Sequence, residues 1–208
     1  MIQKIIPILL ISLLTKTSYS QMQNYYQAFK NLYTPEKIWI ISHPFVALKT
    51  FKITSLAKNE ATLRINDPDL DGDYSGGQVD AFRHCLWMAL LTKEIGQRKA
   101  LKLGIAHEKS NKIQFQNMQL EEEFIPDSIS CQMDLLNNKV GSQIGKENKT
   151  ADYNTIIQIV KNAILSGQCW KIKKDTNLKF LDVNNQVIPK NMYHGIWVNS
   201  KVLVPSNY

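Results

Sequence analysis

The chain has 208 residues, of which 44% are hydrophobic and 21% charged, and its formal net charge is +7 at pH 7. This length can bury one hydrophobic core, so one domain with a small appendage is expected. There is no internal repeat and no low-complexity segment, which excludes solenoid and fibrous architectures. The basic residues are scattered rather than gathered in an arginine-rich stripe, so a nucleic-acid partner is not indicated.

Residues 1–20 have the three parts of a cleavable signal peptide. Lys4 supplies the basic start, residues 5–14 are predominantly apolar, and residues 18–20 place small side chains where a signal peptidase reads them. Cleavage before Gln21 lowers the formal charge from +7 to +5. The alternative is an uncleaved membrane anchor, although the apolar stretch is shorter than the about 20 residues of a spanning helix. We therefore expect an exported protein, periplasmic or secreted, with no transmembrane segment after cleavage.

Helical periodicity dominates the rest of the chain. Apolar residues recur at helical spacing from Met22 to Tyr33, which predicts a first helix. Residues 34–36 read Thr-Pro-Glu, the pattern that opens a second helix. Pro44 must end, kink or restart that helix, because proline lacks the amide hydrogen that a helix interior needs. Residues 45–56 continue the helical pattern.

The most apolar helix lies in the middle of the chain. An Asp- and Gly-rich loop over residues 66–77 precedes a helix predicted at 78–95. That helix is apolar on nearly every side, which indicates that it is buried. Gly96 ends it, and a further helix over residues 97–108 completes a tight helical hairpin.

The C-terminal half combines helices with a less regular end. Residues 111–128 are polar, with an acidic run at 121–123, and are expected to form a solvated excursion. Two further helices follow, one with its apolar stripe from Ile129 to Ile144 and one from Tyr153 to Ile164. Beyond Trp170 the pattern indicates short strands or an irregular tail.

These elements predict a mainly α fold, with five to seven packed helices around a buried central helix and a small β-like C-terminal tail. Three parts are expected: a signal peptide over residues 1–20, a helical domain over 21–170, and a short-strand or irregular tail over 171–208. An odd number of cysteines leaves one unpaired. Cys85 lies in the apolar helix and is expected to be buried, whereas Cys131 and Cys169 are candidates for a disulfide in an oxidising compartment.

Three of the predicted helices carry polar side chains on or beside a buried face. Imidazole with carboxylate is a ligand set for a divalent ion such as zinc, and equally a general-base pair. Asp80 and His84 are four residues apart, so they share one side of the central helix. The whole polar set is Asp80, His84, His107, Glu108, Asp134, Asn137 and Asn138.

Two interpretations of this set stay open. In the first, Asp80, His84, His107 and Asp134 form a divalent metal or catalytic site. In the second, they form a structural network, with Asp80 or Asp134 accepting hydrogen bonds from His84 or Arg83, because buried polar groups must be satisfied. His107 and the glutamate after it are not followed by a second histidine, so the common zinc-protease motif is missing.

The polar set falls within three short motifs. They read Asp-Ala-Phe-Arg-His over residues 80–84, Ala-His-Glu over 106–108, and Met-Asp-Leu-Leu-Asn-Asn over 133–138, with Val-Gly at 140–141. Together they resemble an uncharacterised bacterial domain family, found in secreted proteins and in the C-terminal parts of toxin-like proteins, across residues 35–170. Ser142 stands where a basic residue is expected. The resemblance implies no activity, but it centres on Arg83, His84, His107, Glu108, Asp134, Asn137 and Asn138.

A second candidate metal site is the acidic loop at residues 67–73. Carboxylates at alternate positions with a glycine at the sixth are similar to the first half of a calcium loop. The twelfth position is Gln78 instead of the expected glutamate, so the match is partial. Calcium binding and a solvated acidic turn are the two interpretations of its four carboxylates, Asp67, Asp69, Asp71 and Asp73.

Two classes of function follow from these observations. The first is an exported metal-assisted hydrolase with a His/Asp/Glu cluster on neighbouring helices, acting on a phosphodiester, a lipid or an envelope polymer. Zinc phospholipases C and related nucleases have helical sites of the same general style. The second is a non-enzymatic envelope interaction or structural module with a buried polar network. An open cavity beside the cluster favours the first class, and a sealed cluster favours the second.

Overall fold

The structure is a computed structural model that describes residues 22–118 and 125–208. The expected signal peptide and the acidic run at 121–123 lie outside the described residues. Within these ranges the chain forms seven helices and one two-stranded sheet, so the predicted mainly α fold is confirmed. None of the helices described is both long and apolar enough to cross a bilayer.

The elements follow one another with short connections. The helices are α1 (residues 22–31), α2 (Thr34–Ser42), α3 (Pro44–Arg64), α4 (Gln78–Ile95), α5 (Gln97–Gln116), α6 (Ser128–Glu147) and α7 (Tyr153–Leu165). The antiparallel strands are β1 (Trp170–Ile172) and β2 (Leu203–Pro205), and a 3-10 turn covers Lys190–Met192.

Two prolines set where α2 and α3 begin. Pro35 and Pro44 both lie in the first turn of a helix, where the missing amide hydrogen has no intrahelical partner to lose. A new helix therefore begins at Pro44, which is one of the outcomes that the sequence allowed. His43 separates the two helices, and its ring stacks on Trp39 with 4.5 Å between ring centroids.

Helix α4 is the centre of the fold. Every residue from Gln78 to Thr92 is buried, and α3, α5, α6 and α7 all pack against it. Its largest side chains are fully enclosed, and each contributes about 1.5–3 kcal/mol by leaving water. The predicted buried central helix is confirmed, and its polar residues are consequently held away from bulk solvent.

Helix α6 lies unusually close to α4 because two glycines face it. A Cβ atom at Gly141 would lie 2.1 Å from the carbonyl oxygen of Cys85, and one at Gly145 would lie 2.2 Å from that of Ala89. The two helix backbones therefore touch over consecutive turns. Asp134 lies on the same side of α6 as Gly141, seven residues earlier, so this contact also presses Asp134 toward α4.

Helix α5 is longer than the sequence indicated. The pattern predicted an end near residue 108, but the helix continues to Gln116. Asn111 is fully buried, and its Nδ2 donates to Glu108 Oε2 at 3.1 Å. Polar side chains satisfied within the helix replace the apolar pattern there, and this is why residues 111–116 resembled a loop.

The C-terminal tail packs on α6 through a second, smaller apolar cluster. The cluster consists of Met133, Ile172, Phe180 and Ile188. The expected strand at residues 180–183 forms only isolated bridges, and residues 203–205 pair with β1 instead. Asp127 caps α6 and accepts a hydrogen bond from Lys201 Nζ at 2.6 Å, which ties the tail to the start of that helix.

The expected disulfide between Cys131 and Cys169 is wrong. All three cysteines lie within the described residues, are buried and form no disulfide. The neighbour of Cys169 is Cys85 on α4, and their hydrogen bond, followed by burial, raises the pKa of the Cys85 thiol well above its usual value. Cys85 is fully enclosed, as its place in the apolar helix predicted.

We expect Gly141→Ala to destabilise the protein by about 3 kcal/mol or more, because the added methyl group overlaps the backbone of α4. Helix propensity alone predicts the opposite sign, since alanine favours a helix by about 1 kcal/mol over glycine. The measurement is the denaturant midpoint. Gln143→Ala, at an exposed position of the same helix, is the control and should change stability by less than about 0.5 kcal/mol. Equal stability of both variants would contradict close helix contact.

Candidate functional site

Three side chains from α4 and α6 converge into one buried cluster. Asp80, His84 and Asp134 each offer a ligand atom, and these atoms all lie within 4.8 Å of one another. His84 Nε2 is 3.4 Å from Asp134 Oδ1 and 3.6 Å from Asp80 Oδ1. The helical spacing of four residues brings Asp80 beside His84, whereas the glycine contact of α6 brings Asp134 to them.

Asp80 is held firmly by its surroundings. Its Oδ2 accepts from the backbone amide of Gly76 at 2.7 Å, and its Oδ1 accepts from Arg83 Nη2 at 2.6 Å and Nε at 3.2 Å. The Arg83 guanidinium also lies over the ring of Tyr74, 5.2 Å from its centroid. One carboxylate of the cluster is therefore neutralised by a buried cation on the same helix.

His84 is buried and lacks a geometrically good hydrogen bond. The side chain is 2% exposed, and neither ring nitrogen has a hydrogen-bond partner among the described residues. Burial is the largest cause that lowers the pKa of His84 well below its usual value, and the positive charge of Arg83 is the next. Asn138, which lies beside the ring, has the opposite effect and raises the pKa of His84. The ring is consequently neutral near pH 7, so one of its nitrogens has a lone pair that can bind a metal ion or a proton.

A cavity of about 650 Å³ opens beside the ring of His84. Arg83, Trp87 and His107 line it together with His84, and the Trp87 indole donates to Thr54 Oγ1 at 2.9 Å. The other walls come from α1, α2 and α3 and are mostly apolar. The cluster thus borders an open space, which is the arrangement that favours a functional site over a sealed network.

A second, much smaller space also borders the cluster. Its volume is about 40 Å³, and Asp80, Arg83, Asp134 and Lys201 are among the residues that line it. This volume accommodates a water molecule or a small ion. Asp80 and Asp134 therefore border a space of ionic size, while His84 borders the larger cavity.

His107 borders the large cavity but does not join the cluster. Its Nδ1 lies 3.0 Å from Glu36 Oε1, and its ring centroid is 6.1 Å from that of His84. Trp87 packs edge-on against His107, with 5.6 Å between centroids. Sequence reasoning missed Glu36 as a site residue, because its position in the first turn of α2 already explained it as a helix-start residue.

Of the remaining predicted site residues, one lies beside the cluster and two make other contacts. Asn138 lies beside His84, as noted above. Asn137 binds the backbone of Trp170 twice, donating to its carbonyl and accepting from its amide at 2.9 Å each, so it anchors the tail. Glu108 is buried on α5 and accepts from Asn111.

Residues 37–168 match the model of a family described as Domain of unknown function (DUF6973). The chain belongs to this family. The DUF6973 segment begins inside α2, ends after α7 and contains the whole cluster of Asp80, His84 and Asp134. Helix α1 and the C-terminal tail lie outside it. Comparisons with curated proteins and with solved structures found no match.

The four carboxylates of the acidic loop do not converge. Asp67 and Asp69 both accept from Lys161 Nζ at 2.8 Å, and this hydrogen bond is the main cause that lowers the pKa of Asp67. The other two bind elsewhere in the DUF6973 segment and the tail: Asp71 accepts from the Gln78 amide at 2.9 Å, and Asp73 from Lys174. Cations and backbone amides therefore already occupy the oxygens that a calcium ion would need.

We expect no shift of the melting temperature when millimolar calcium is added, because lysines already relieve the repulsion within the acidic loop. Magnesium at the same concentration controls for ionic strength. A calcium-specific increase of several degrees, abolished by Asp71→Asn, would contradict this expectation and restore the calcium interpretation.

We expect His84→Ala and His107→Ala to be coupled by about 1 kcal/mol in a double-mutant cycle, because the two rings line the same cavity floor. The readout is the free energy of unfolding. His84→Ala combined with His43→Ala is the control cycle, since His43 packs on Trp39 and does not line the cavity, and it should be additive. Additivity in both cycles would show that the two cavity histidines act independently.

Proposed function

We propose that this protein is a hydrolase whose catalytic centre is a divalent metal site formed by Asp80, His84 and Asp134. The observation that carries the proposal is the spacing of the three ligand atoms. Atoms about 2.1 Å from a tetrahedral zinc ion lie about 3.4 Å apart. His84 Nε2 lies 3.4 Å from Asp134 Oδ1 and 3.6 Å from Asp80 Oδ1. Both distances match this separation between zinc ligands and are longer than a good hydrogen bond.

The charge of the cluster also suits a cation. Two carboxylates, Asp80 and Asp134, are buried together beside the imidazole of His84. A neutral imidazole between them is the protonation state that a metal ion requires. Three protein ligands leave one position of a tetrahedral ion open, as in catalytic rather than structural zinc sites.

A metal ion in this position would supply a Lewis acid and make water a nucleophile near neutral pH. Hydrolysis adds the water oxygen to an acyl or phosphoryl centre and breaks the bond from that centre to the leaving oxygen. A proton of the water passes to the leaving oxygen. Arg83 would stabilise negative charge that develops at the reacting centre, and His107, which lines the same cavity floor, would transfer the proton.

One observation favours the alternative, a structural module with a buried polar network. Asp80 already receives hydrogen bonds from Arg83 and Gly76, so part of the network is satisfied without any ion. Such a network resists the removal of any partner, because each removal leaves a buried charge uncompensated. Such a network does not explain the distances from His84 to the two carboxylates or the adjoining cavity.

Export, inferred from residues 1–20 alone, belongs to the same proposal. A periplasmic or secreted location would place the enzyme beside phosphodiesters, lipids and envelope polymers. N-terminal sequencing of protein recovered from outside the cytoplasm tests the prediction of export. A start at Gln21 supports export with cleavage, and a start at Met1 contradicts it.

We expect purified protein dialysed against zinc to retain one ion per chain, measured by elemental analysis after removal of unbound metal. His84→Gln and Asp134→Asn should each lose the ion, because either change removes one of three ligands. His43→Gln is the matched histidine control and should retain it. Retention of zinc by all three variants would assign the metal to another site.

In metal-free protein, Asp134→Asn should leave the free energy of unfolding unchanged or raise it, because the change relieves repulsion between two buried carboxylates. The denaturant midpoint of wild type and variant, both stripped of metal, gives the comparison. Destabilisation by more than about 3 kcal/mol would identify Asp134 as a structural charge partner and favour the non-enzymatic module.

A further inference from the structure

The large cavity has a shape and lining that identify a class of ligand. Its volume of about 650 Å³ lies within the about 300–1,000 Å³ of typical small-molecule sites. Its walls are built mainly from apolar side chains of α1, α3 and α5, including Phe29, Phe51 and Leu103, whereas its floor carries Arg83, His84 and His107. A ligand that fills it must be hydrocarbon along most of its length and polar at one end.

Three wall residues mark the mouth of this cavity. Met22, Tyr26 and Leu48 line it and are also more than half exposed. Leu48 lies one turn after Phe45, whose side chain is completely exposed, so both share a face of α3. Ile41, at the end of α2, is 69% exposed. Exposed apolar side chains therefore line the mouth, and more of them continue from it along α3, an arrangement that marks an interaction surface.

Positive charge accompanies the apolar surface. Lys49, Lys52 and Lys58 are exposed on the same helix as Phe45. Lys49 pairs with Glu94 at 3.0 Å, and Lys58 lines the cavity. Among the charged residues of the cavity wall, Lys58 and Arg83 are positive and Glu36 is negative, with Glu36 already bound to His107. Apolar side chains inserted among lysines are suited to an anionic lipid surface.

We propose that the substrate of the Asp80, His84 and Asp134 centre is a membrane lipid, one hydrocarbon chain of which occupies the cavity. This proposal rests on the hydrolase function above. The exposed side chains of Ile41, Phe45 and Leu48 insert into the lipid surface. The hydrocarbon chain of the lipid then passes between α1 and α3. Its ester group then lies at the cavity floor, where water adds to the acyl or phosphoryl centre and the proton goes to the leaving oxygen.

Occupation of the cavity is tested with the fluorescent fatty acid cis-parinaric acid. We expect saturable binding that Ala47→Trp weakens at least about tenfold, because an indole at this wall position displaces several methylene groups. Leu63→Trp is the control, since Leu63 is exposed on the same helix but does not line the cavity. Equal binding by both variants would overturn the proposal.

Docking is tested by sedimentation with vesicles of equal parts phosphatidylcholine and phosphatidylglycerol. Phe45→Ser should reduce binding at least about tenfold, while Leu63→Ser, which also removes an exposed apolar side chain of α3, should leave binding unchanged. If the two variants behave alike, or if the apolar surface instead holds two copies in a dimer that Phe45→Ser dissociates, the proposal is wrong.

Hydrolysis of the same vesicles, followed by mass spectrometry of the released products, separates the two proposals. Zinc binding without binding of either lipid probe would overturn the lipid proposal and leave the hydrolase intact. Binding of both probes with neither zinc binding nor hydrolysis would overturn the hydrolase and, with it, the assignment of lipid as substrate. Ala47→Trp and Phe45→Ser should both retain zinc, because neither residue belongs to the cluster.

Discussion

The backbone contact between α6 and α4 brings Asp134 to Asp80 and His84. Gly141 and Gly145 let the two helices touch over consecutive turns, where any side chain would overlap a carbonyl of α4. Because Asp134 and Asn138 share that face of α6, the same contact places them against His84. The cluster is therefore a consequence of helix packing: larger residues at the two glycines would separate its ligands by moving one helix away from the other.

The protonation and the spacing of the cluster have a common origin in burial. Burial keeps His84 neutral and withholds water from Asp80 and Asp134, so the cluster must be satisfied from within the protein or by an ion. Arg83 donates two hydrogen bonds to Asp80 from within the protein. The separations around the imidazole suit coordination better than hydrogen bonding, which is why the metal interpretation explains more of the geometry than the structural network does.

The cavity links this centre to the surface. Its floor belongs to the DUF6973 segment, but part of its wall comes from α1, which precedes the matched residues. Apolar side chains around the mouth, cationic side chains nearby and the proposed hydrolytic centre at the base together suit a substrate that is taken from a lipid surface. The apolar and cationic side chains of α3 and the cluster on α4 and α6 come from different helices, and the packing of these helices brings them around one cavity.

By itself, the sequence determined the helical fold, the buried central helix and the pairing of Asp80 with His84, because helical periodicity and four-residue spacing are local properties. It also indicated Asp134 and His107 as candidates without showing which of them reaches His84. Only the tertiary structure decided that Asp134 joins the cluster, that His107 binds Glu36, that Asn137 anchors the tail and that lysines hold the acidic loop. Those outcomes depend on distances between parts of the chain that are far apart in sequence, which no local pattern encodes. The close approach at Gly141 and Gly145 sets the distance for Asp134.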